Sequence, residues 1–264
     1  MSDQARKDDP TICPLHAKGT ITDIVRDPRT TVNGIDTAQV GDCATCITGD
    51  IDVIVEGAAT VTIGERYATR VGNKLWHGGM IEKGSPNVEI GGATITSDEI
   101  IKEAKERAEK VLKCAEKRLN RWNDEDKAMF KKYFGSDDDA ARQAIQDRVA
   151  ANQSAVNDAN FHFGSQDETV SPEDLGGYAH VTPDDASHNV YLDQAFWSAP
   201  TEGTDNQTGT MLHEMSHFDD VGGTYDNMYG RDNSLELAKQ DPAQALSNAD
   251  NYEYYMENVQ ETCK

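Results

Sequence analysis

Between residues 11 and 95 apolar and polar positions alternate in short runs separated by glycine turns, a period of two that predicts short β-strands. The runs also repeat. "DPRTTVNGIDTAQVGD" (27–42), "GAATVTIGERYATRVGN" (57–73) and "GSPNVEIGG" (84–92) align so that Asp27 matches Gly57 and Gly84, and Gly34 matches Gly64 and Gly91. The spacing is 27–30 residues, and a loop is expected before each unit: "CPLH", "CATC" and "KLWH". A unit this small cannot bury a core alone, so the three should wrap into one compact β-prism.

From Ser97 the period becomes helical. "SDEIIKEAKERAEKVLKCAEKRLNRW" opens on Ser97, carries acids in its first turn and spaces Ile100, Ile101, Ala104, Ala108, Val111, Leu112 and Leu119 along one face. A second helix is predicted through "DEDKAMFKKYF" to Gly135 and a third over "DDDAARQAIQDRVAANQSAV"; their apolar stripes are assigned to the core. Two strand-like pieces follow, "YAHVTP" and "HNVYLDQAFW", and then a further helix. Helices, a small sheet and another helix read as α+β. The expected organisation is therefore two domains: all-β over 1–96, and mainly helical α+β over 97–264.

Length agrees with this division, since 264 residues suit two ordinary domains. The formal net charge of −22 is uneven: residues 1–96 hold 9 Lys+Arg against 13 Asp+Glu, and the remainder 16 against 34. Such a surface repels phosphate backbones, so nucleic acid is not an expected partner. The acidic second half favours cationic substrates or is simply a solvated face. No run of about 18 apolar residues occurs, so membrane insertion is not expected. The polar start "MSDQARKDDP" lacks the apolar core of a secretory signal. The expectation is synthesis in the cytoplasm and, if the chain is exported, a route that reads no such signal. The cysteines are Cys13, Cys43, Cys46, Cys114 and Cys263, an odd number that does not suggest a disulfide framework in a reducing compartment.

The chemistry concentrates in "TGTMLHEMSHFDDVGGTYDNMYG" (208–230). On a helix His213 and His217 are one turn apart and project from the same face, close enough to grip one Zn²⁺. Glu214 is then left free to serve as general base. The competing reading is an acidic helix that happens to contain histidines. A catalytic zinc needs a third protein ligand. Gly222 and Gly223 end the helix and allow Asp226 to turn back, whereas Asp219 and Asp220 point the wrong way. Tyr229, three residues on, is placed to donate to a developing oxyanion. Farther along, Asp250 and Glu253 in "NADNYEYY" are spaced to share a helix face, as a pocket or as an exposed acidic patch. His162, His180 and His188 have no partner spacing, Phe196 and Trp197 are assigned to the core, and Val190–Leu192 is a candidate edge for an extended substrate.

In the first half the loops before the repeats converge if the repeats stack. They bring together His16, Cys46 and His77 with Cys13 as a nearby fourth, a thiolate and imidazole set suited to tetrahedral zinc. The alternative is ordinary buried small residues and turn histidines.

Two families are resembled. "VGDCATC", "IVEGAATVTIGERYATRVGN" and "HGGMIEKGSPNVEIGG" look like the repeats of PAAR proteins over about 85 residues. These are zinc-pinned cones that cap the trimeric valine-glycine-repeat spike of the bacterial type VI secretion apparatus. The resemblance implies Cys13, His16, Cys46 and His77 as structural zinc ligands. The first unit departs from the pattern at Asp27, and Cys43 is an extra thiol able to compete for the metal. "GTMLHEMSHFDDVGGTYDNMYG" is similar to the aspzincin motif, HExxH followed by GTxDxxYG, within the peptidyl-Lys metalloendopeptidase branch of the deuterolysin-like enzymes. That implies catalytic zinc on His213, His217 and Asp226, Glu214 as base and Tyr229 as oxyanion donor. It also implies Asp250 and Glu253 as the acidic pair around the lysine that follows the scissile bond. Secreted relatives carry disulfides in this domain; here only Cys114 and Cys263 are available, and their pairing after export stays open.

Together these readings suggest a type VI secretion effector: a spike tip carrying a zinc endopeptidase toxin that cuts on the amino side of lysine in proteins of a target cell. Its expected partners are the trimeric spike protein and protein substrates; an immunity protein in the producer is required only if the target is a bacterium. The alternatives are a spike cap with a non-catalytic binding domain and a protease that acts inside the producing cell.

Overall fold

The structure, a computed structural model, describes residues 1–24, 30–167, 169–171 and 174–263. Asp27, where the first repeat was expected to begin, lies outside them. The chain divides into two compact units, one of Met1–Ile101, Phe163–Tyr178 and Asp193–Ala199, the other of Lys102–His162, Ala179–Leu192 and Pro200–Lys264.

The first unit is strand-rich, as the period-2 pattern predicts. Its largest sheet is antiparallel and runs in the order Met80–Ile81, Pro10–Cys13, Ala17–Asp23, Cys43–Cys46, Ile51–Val53. "CATC" is thus a strand, not a loop: it pairs with Ala17–Asp23 and continues the sheet. Two repeats place equivalent two-residue hairpins, Thr31–Val32 with Ile35–Asp36 and Thr62–Ile63 with Arg66–Tyr67. Small residues and branched aliphatics, among them Ala5, Ile21, Ala38, Ala44, Ile54 and Leu75, form the core.

The second unit is built on helices. Helix α1 (Ser97–Arg121) opens on Ser97, as its sequence predicts, and is capped by the preceding Thr96. Thr96 Oγ1 accepts from the Glu99 amide at 3.3 Å and Glu99 accepts from the Thr96 amide at 2.8 Å, a reciprocal capping box. Helix α2 (Asp124–Phe134) is capped by Asn123 and Asp126 in the same way and stops at Gly135, which takes a left-handed φ of 75°. Helix α3 is Asp139–Ala155. A three-stranded sheet follows in the order Asn160–Phe163, Asn189–Leu192, Ala179–Val181. This corrects the expected substrate edge: Val190–Leu192 occupies the middle strand, and Ala179–Val181 is the outer strand beside the helix that carries HExxH. The "QAFW" expected to extend the strand is a short helix, α4 (Gln194–Ser198), which belongs to the first unit and buries Phe196 and Trp197.

Helices α5 (Gln207–His217), α6 (Arg231–Gln240), α7 (Pro242–Leu246) and α8 (Ala249–Thr262) complete the second unit. Its core joins α1, α2 and α3 to α5 and α8 through Leu112, Phe130, Phe134, Ile145, Leu212 and Tyr255. Cys114 and Cys263 are joined in a disulfide, with Cα atoms 6.1 Å apart. No helix among the described residues is long and apolar enough to cross a membrane.

Candidate functional site

Helix α5 is positioned from both ends. Asn206 caps its start, its Oδ1 accepting from the Gly209 amide at 2.9 Å. The helix stops at His217, and the following turn folds back so that the Thr224 amide donates to Ser216 O at 3.1 Å. Gly222 makes this turn possible, because a Cβ there would lie 2.5 Å from Ser216 O. The next loop is stitched to the start of α8: Tyr225 N–H donates to Ser247 O, and Asn248 both accepts from Met228 N–H and donates to Met228 O at 3.0 Å.

The fold-back carries Asp226 to the two histidines. Its Oδ1 lies 3.2 Å from His213 Nε2 and 3.4 Å from His217 Nε2. Zinc bound at about 2.0–2.2 Å by nitrogen and oxygen would set tetrahedral edges of about 3.4 Å, so this donor set fits the ion. The outer nitrogens are engaged as well. His213 Nδ1 donates to Glu253 at 2.9 Å, and His217 Nδ1 donates to Thr224 O at 3.0 Å. Each bond fixes a tautomer that turns the Nε2 lone pair inward, the arrangement a metal-binding imidazole needs.

Electrostatics favour positive charge at this centre. Burial opposes an imidazolium at His213, but its bonds to Asp226 and Glu253 outweigh burial and hold its pKa well above the ordinary value. His217 is raised in the same way against burial, chiefly through Asp226. The Asp226 carboxyl, despite burial, is held far below the usual range by the two rings. Burial raises the pKa of Glu214, with the two histidines opposing.

Tyr229 is 65% exposed and donates to Asp226 Oδ2 at 2.9 Å, so its phenol is bonded to the carboxylate that meets both histidines. Asp250 and Glu253 are both buried, not an exposed patch. Asp250 accepts from the Gly230 amide at 2.6 Å and lies 3.4 Å from His213 Nδ1. Burial, with Glu253 adding and His213 opposing, lifts its pKa to about 6. Asp219 and Asp220 are exposed, and Asp220 pairs with His188 at 2.9 Å. His162 instead bonds Asn189, and His180 stacks on Tyr191. Thr224, the threonine of the GTxDxxYG pattern, and Asn248, which no local motif marks, hold the site together.

The first unit gathers a second donor set. Cys13 ends its strand opposite Ala17, and Cys46 lies opposite Gly19, so the two strands that flank Ala17–Asp23 bring both thiols to one end of the sheet. Cys13 Sγ is 3.5 Å from His16 Nδ1 and 3.7 Å from His77 Nδ1, which is also 3.7 Å from Cys46 Sγ. Tetrahedral zinc with sulfur at about 2.3 Å and nitrogen at about 2.0 Å has edges of about 3.6 Å, so these four side chains fit it. Burial and the neighbouring Cys13 push the Cys46 thiol up to about 12, so a cation is needed to draw out the thiolate. Asp52 accepts from the His77 amide at 2.9 Å, and its other oxygen lies 3.5 Å from His77 Nδ1, the nitrogen that also faces the two thiols. Cys43, the expected competitor, is not in this group; burial, then Asp23 and Asp42, pushes its thiol up to about 11.

His213, His217 and Asp226, beside the buried Glu214, form a group able to hold a metal ion, with a donor set of the kind zinc accepts. The family model of lysine-specific metallo-endopeptidases matches residues 120–257, more than half of the chain, and the chain belongs to that family. A PAAR motif matches residues 14–82. Among similar proteins, a peptidyl-Lys metalloendopeptidase of Pleurotus ostreatus is 44% identical over 110 residues, covering 42% of this chain and 64% of that protein. One of Grifola frondosa is 52% identical over 103 residues, 39% of this chain and 29% of that protein. An extracellular protease of Aeromonas hydrophila is 52% identical over 82 residues, 31% of this chain and 23% of that protein. The chain thus spans between 23% and 64% of the length of these relatives. A solved zinc peptidase from Grifola frondosa is similar at 31% identity with a TM-score of 0.48, over 59% of this chain and 95% of that one.

Proposed function

We propose that this chain is a type VI secretion effector, in which a spike tip of residues 1–96 carries a zinc endopeptidase of residues 97–264 that hydrolyses target-cell proteins on the amino side of lysine. The observation that carries the reading is the meeting of His213, His217 and Asp226 beside Glu214. Zinc, when bound, supplies Lewis acidity toward a peptide carbonyl and toward water. Glu214 takes the proton of the attacking water and passes it to the leaving amine; its raised pKa brings it closer to neutrality, where such exchange is efficient. Tyr229 leaves Asp226 to donate to the oxyanion, a movement its exposure permits.

Lysine recognition falls to Asp250 and Glu253. Asp250, Glu253 and Glu257 form a buried acidic stripe along α8. Burial first, with Glu253 adding and His213 opposing, raises the pKa of Asp250, and a lysine ammonium offsets that cost with charge-assisted hydrogen bonds. Arginine is the poorer substrate, since a planar fork does not match a point-charge pocket.

At the tip, Cys13, His16, Cys46 and His77 hold a structural zinc, and the PAAR unit caps the trimeric valine-glycine-repeat spike. The Aeromonas relative is named an extracellular protease, which favours action outside the producing cell, with an immunity protein protecting the producer. The test is a digest of an unfolded protein by the zinc-loaded chain, mapped by mass spectrometry. New peptides should begin with lysine, and cuts placed without regard to lysine refute the specificity. Retention of the chain in cells lacking the spike tests delivery; release without it favours another route.

A further inference from the structure

Glu257 is a buried acid that the proposed chemistry does not use. It lies on α8 one turn past Glu253 and two turns past Asp250, so the three share a face. Its Oε1 accepts from the Asn206 amide at 2.9 Å. Asn206 is the N-cap of α5 and also donates through Nδ2 to Gly203 O at 2.7 Å. Glu257 therefore grips the first turn of the helix that carries His213. Gly209 stands where α5 and α8 meet: a Cβ there would come within 2.7 Å of Glu257 Oε1 and 3.1 Å of Glu253 Cγ. A side chain at 209 would force Glu257 Oε1 away from its present place against α5.

We infer that Glu257 is a positioning residue for the lysine pocket, tying the N-cap amide of α5 to α8 so that Glu253 stays in register with His213 and Asp250 with the pocket. The inference rests on the lysine-pocket reading above. Several charged groups surround Glu257. Glu253 is on its own helix, Asp205 precedes α5 and accepts from Tyr254, and Arg231 begins α6 with Glu261 near it. From α1, Arg107 reaches Gln207 and Thr208 in the same first turn of α5. Burial, then Glu253 and Asp205, lifts the Glu257 pKa from 4.5 to about 9, against the Asn206 amide and Arg231. At neutral pH Glu257 is thus an uncharged acid that accepts the amide bond without adding a second buried charge beside Glu253. Because the folded value exceeds the unfolded one, its stability contribution is complete below about pH 4.5 and is lost as pH rises through about 9.

The experiment compares the zinc-loaded full chain with Glu257→Gln and Glu257→Ala, using matched lysine and arginine reporter peptides and thermal melts from pH 5 to 10. Glu257→Ala should raise KM for the lysine reporter about tenfold, change kcat less and narrow the preference over arginine. Glu257→Gln, which keeps the oxygen acceptor and cannot ionise, should rescue most of that loss. Its Tm, relative to wild type, should climb steadily from pH 5 to about pH 9 and then level. A folded Glu257→Ala with unchanged lysine KM and preference overturns the inference, as does a Glu257→Gln Tm difference that is flat with pH. If Glu257→Ala does not fold, Glu257→Asp, one methylene too short to reach Asn206, is judged by the same KM criterion. Wild-type protein without lysine-directed cleavage marks failure of the pocket reading instead, and the melts do not depend on it.

Discussion

Glu253 accepts the Nδ1 proton of His213 at 2.9 Å, so one carboxylate both braces an imidazole of the His213, His217 and Asp226 group and belongs to the acidic pair proposed to recognise lysine. Asp250 is farther from that nitrogen, at 3.4 Å, and is anchored by the Gly230 amide. The two acids therefore divide their work unequally.

Their variants should separate. Glu253→Gln should weaken zinc affinity about 10–100-fold, the usual effect of losing a carboxylate behind a histidine ligand, as well as lysine preference. Asp250→Asn should keep zinc affinity within about threefold while lysine preference falls. Chelator competition read alongside peptide maps checks this. Equal zinc affinities in the two variants refute the division.

The two donor sets should also load independently. Elemental analysis of the full chain should find two zinc ions. His77→Ala should lose one and still cleave peptides, whereas Asp226→Ala should lose the other together with cleavage. Glu214→Ala should keep both ions and fall in kcat by about 10²–10⁴, the range for a lost general base. A Glu214→Ala enzyme working at the wild-type rate sinks the assignment.

What could be read in advance was local. His213, Glu214 and His217 sit on one helix, where spacing alone determines which face they share. Asp226 needed only a glycine turn, although its placement depends on Thr224 and Asn248, whose partners lie 7 and 20 residues away. No periodicity records such pairs. The same limit explains the misplaced edge: "HNVYL" reads as a strand, but its place in the middle of the sheet is decided by neighbours on both sides. "QAFW" shows how a short apolar run leaves helix and strand undecided. Pairing of Cys114 with Cys263 stayed open because it joins residues 149 apart.

Acid should unfold the second unit partly through Asp126. This buried carboxylate completes the cap of α2 and bonds Arg121 at 2.6 and 2.7 Å and Arg118 at 3.1 Å. Arg121 first, and Arg118 as well, hold its pKa below 3.8 against burial. With the folded value depressed, the stability is present above about pH 3.8 and is lost as pH falls through the lower folded value. Asp126→Asn should lower Tm by a few degrees at pH 7 and flatten the acid limb below about pH 4. An unchanged limb in the variant contradicts this.

The Cys114–Cys263 disulfide should matter more to persistence than to chemistry. It fastens α1 to the residue that ends α8, across a separation of 149 residues. Cross-linking so long a loop restricts the unfolded chain strongly, a contribution of about 3–5 kcal/mol. For a unit of this size that corresponds to a Tm about 10 °C lower when the bond is absent. The acids of the site lie toward the start of α8, with Asp250 and Glu253 three turns or so from Cys263, and they are held by Gly230 and His213 and not by the bond. A Cys114→Ser/Cys263→Ser variant should therefore cleave a lysine reporter at 25 °C within about twofold of wild type, yet lose activity much faster on heating. Wild type under a thiol reductant should melt like the variant, and the variant itself should not respond to the reductant. A variant that melts with wild type would show that the bond adds nothing to stability. One that melts lower but has also lost cleavage at 25 °C would show that the end of α8 reaches the site after all.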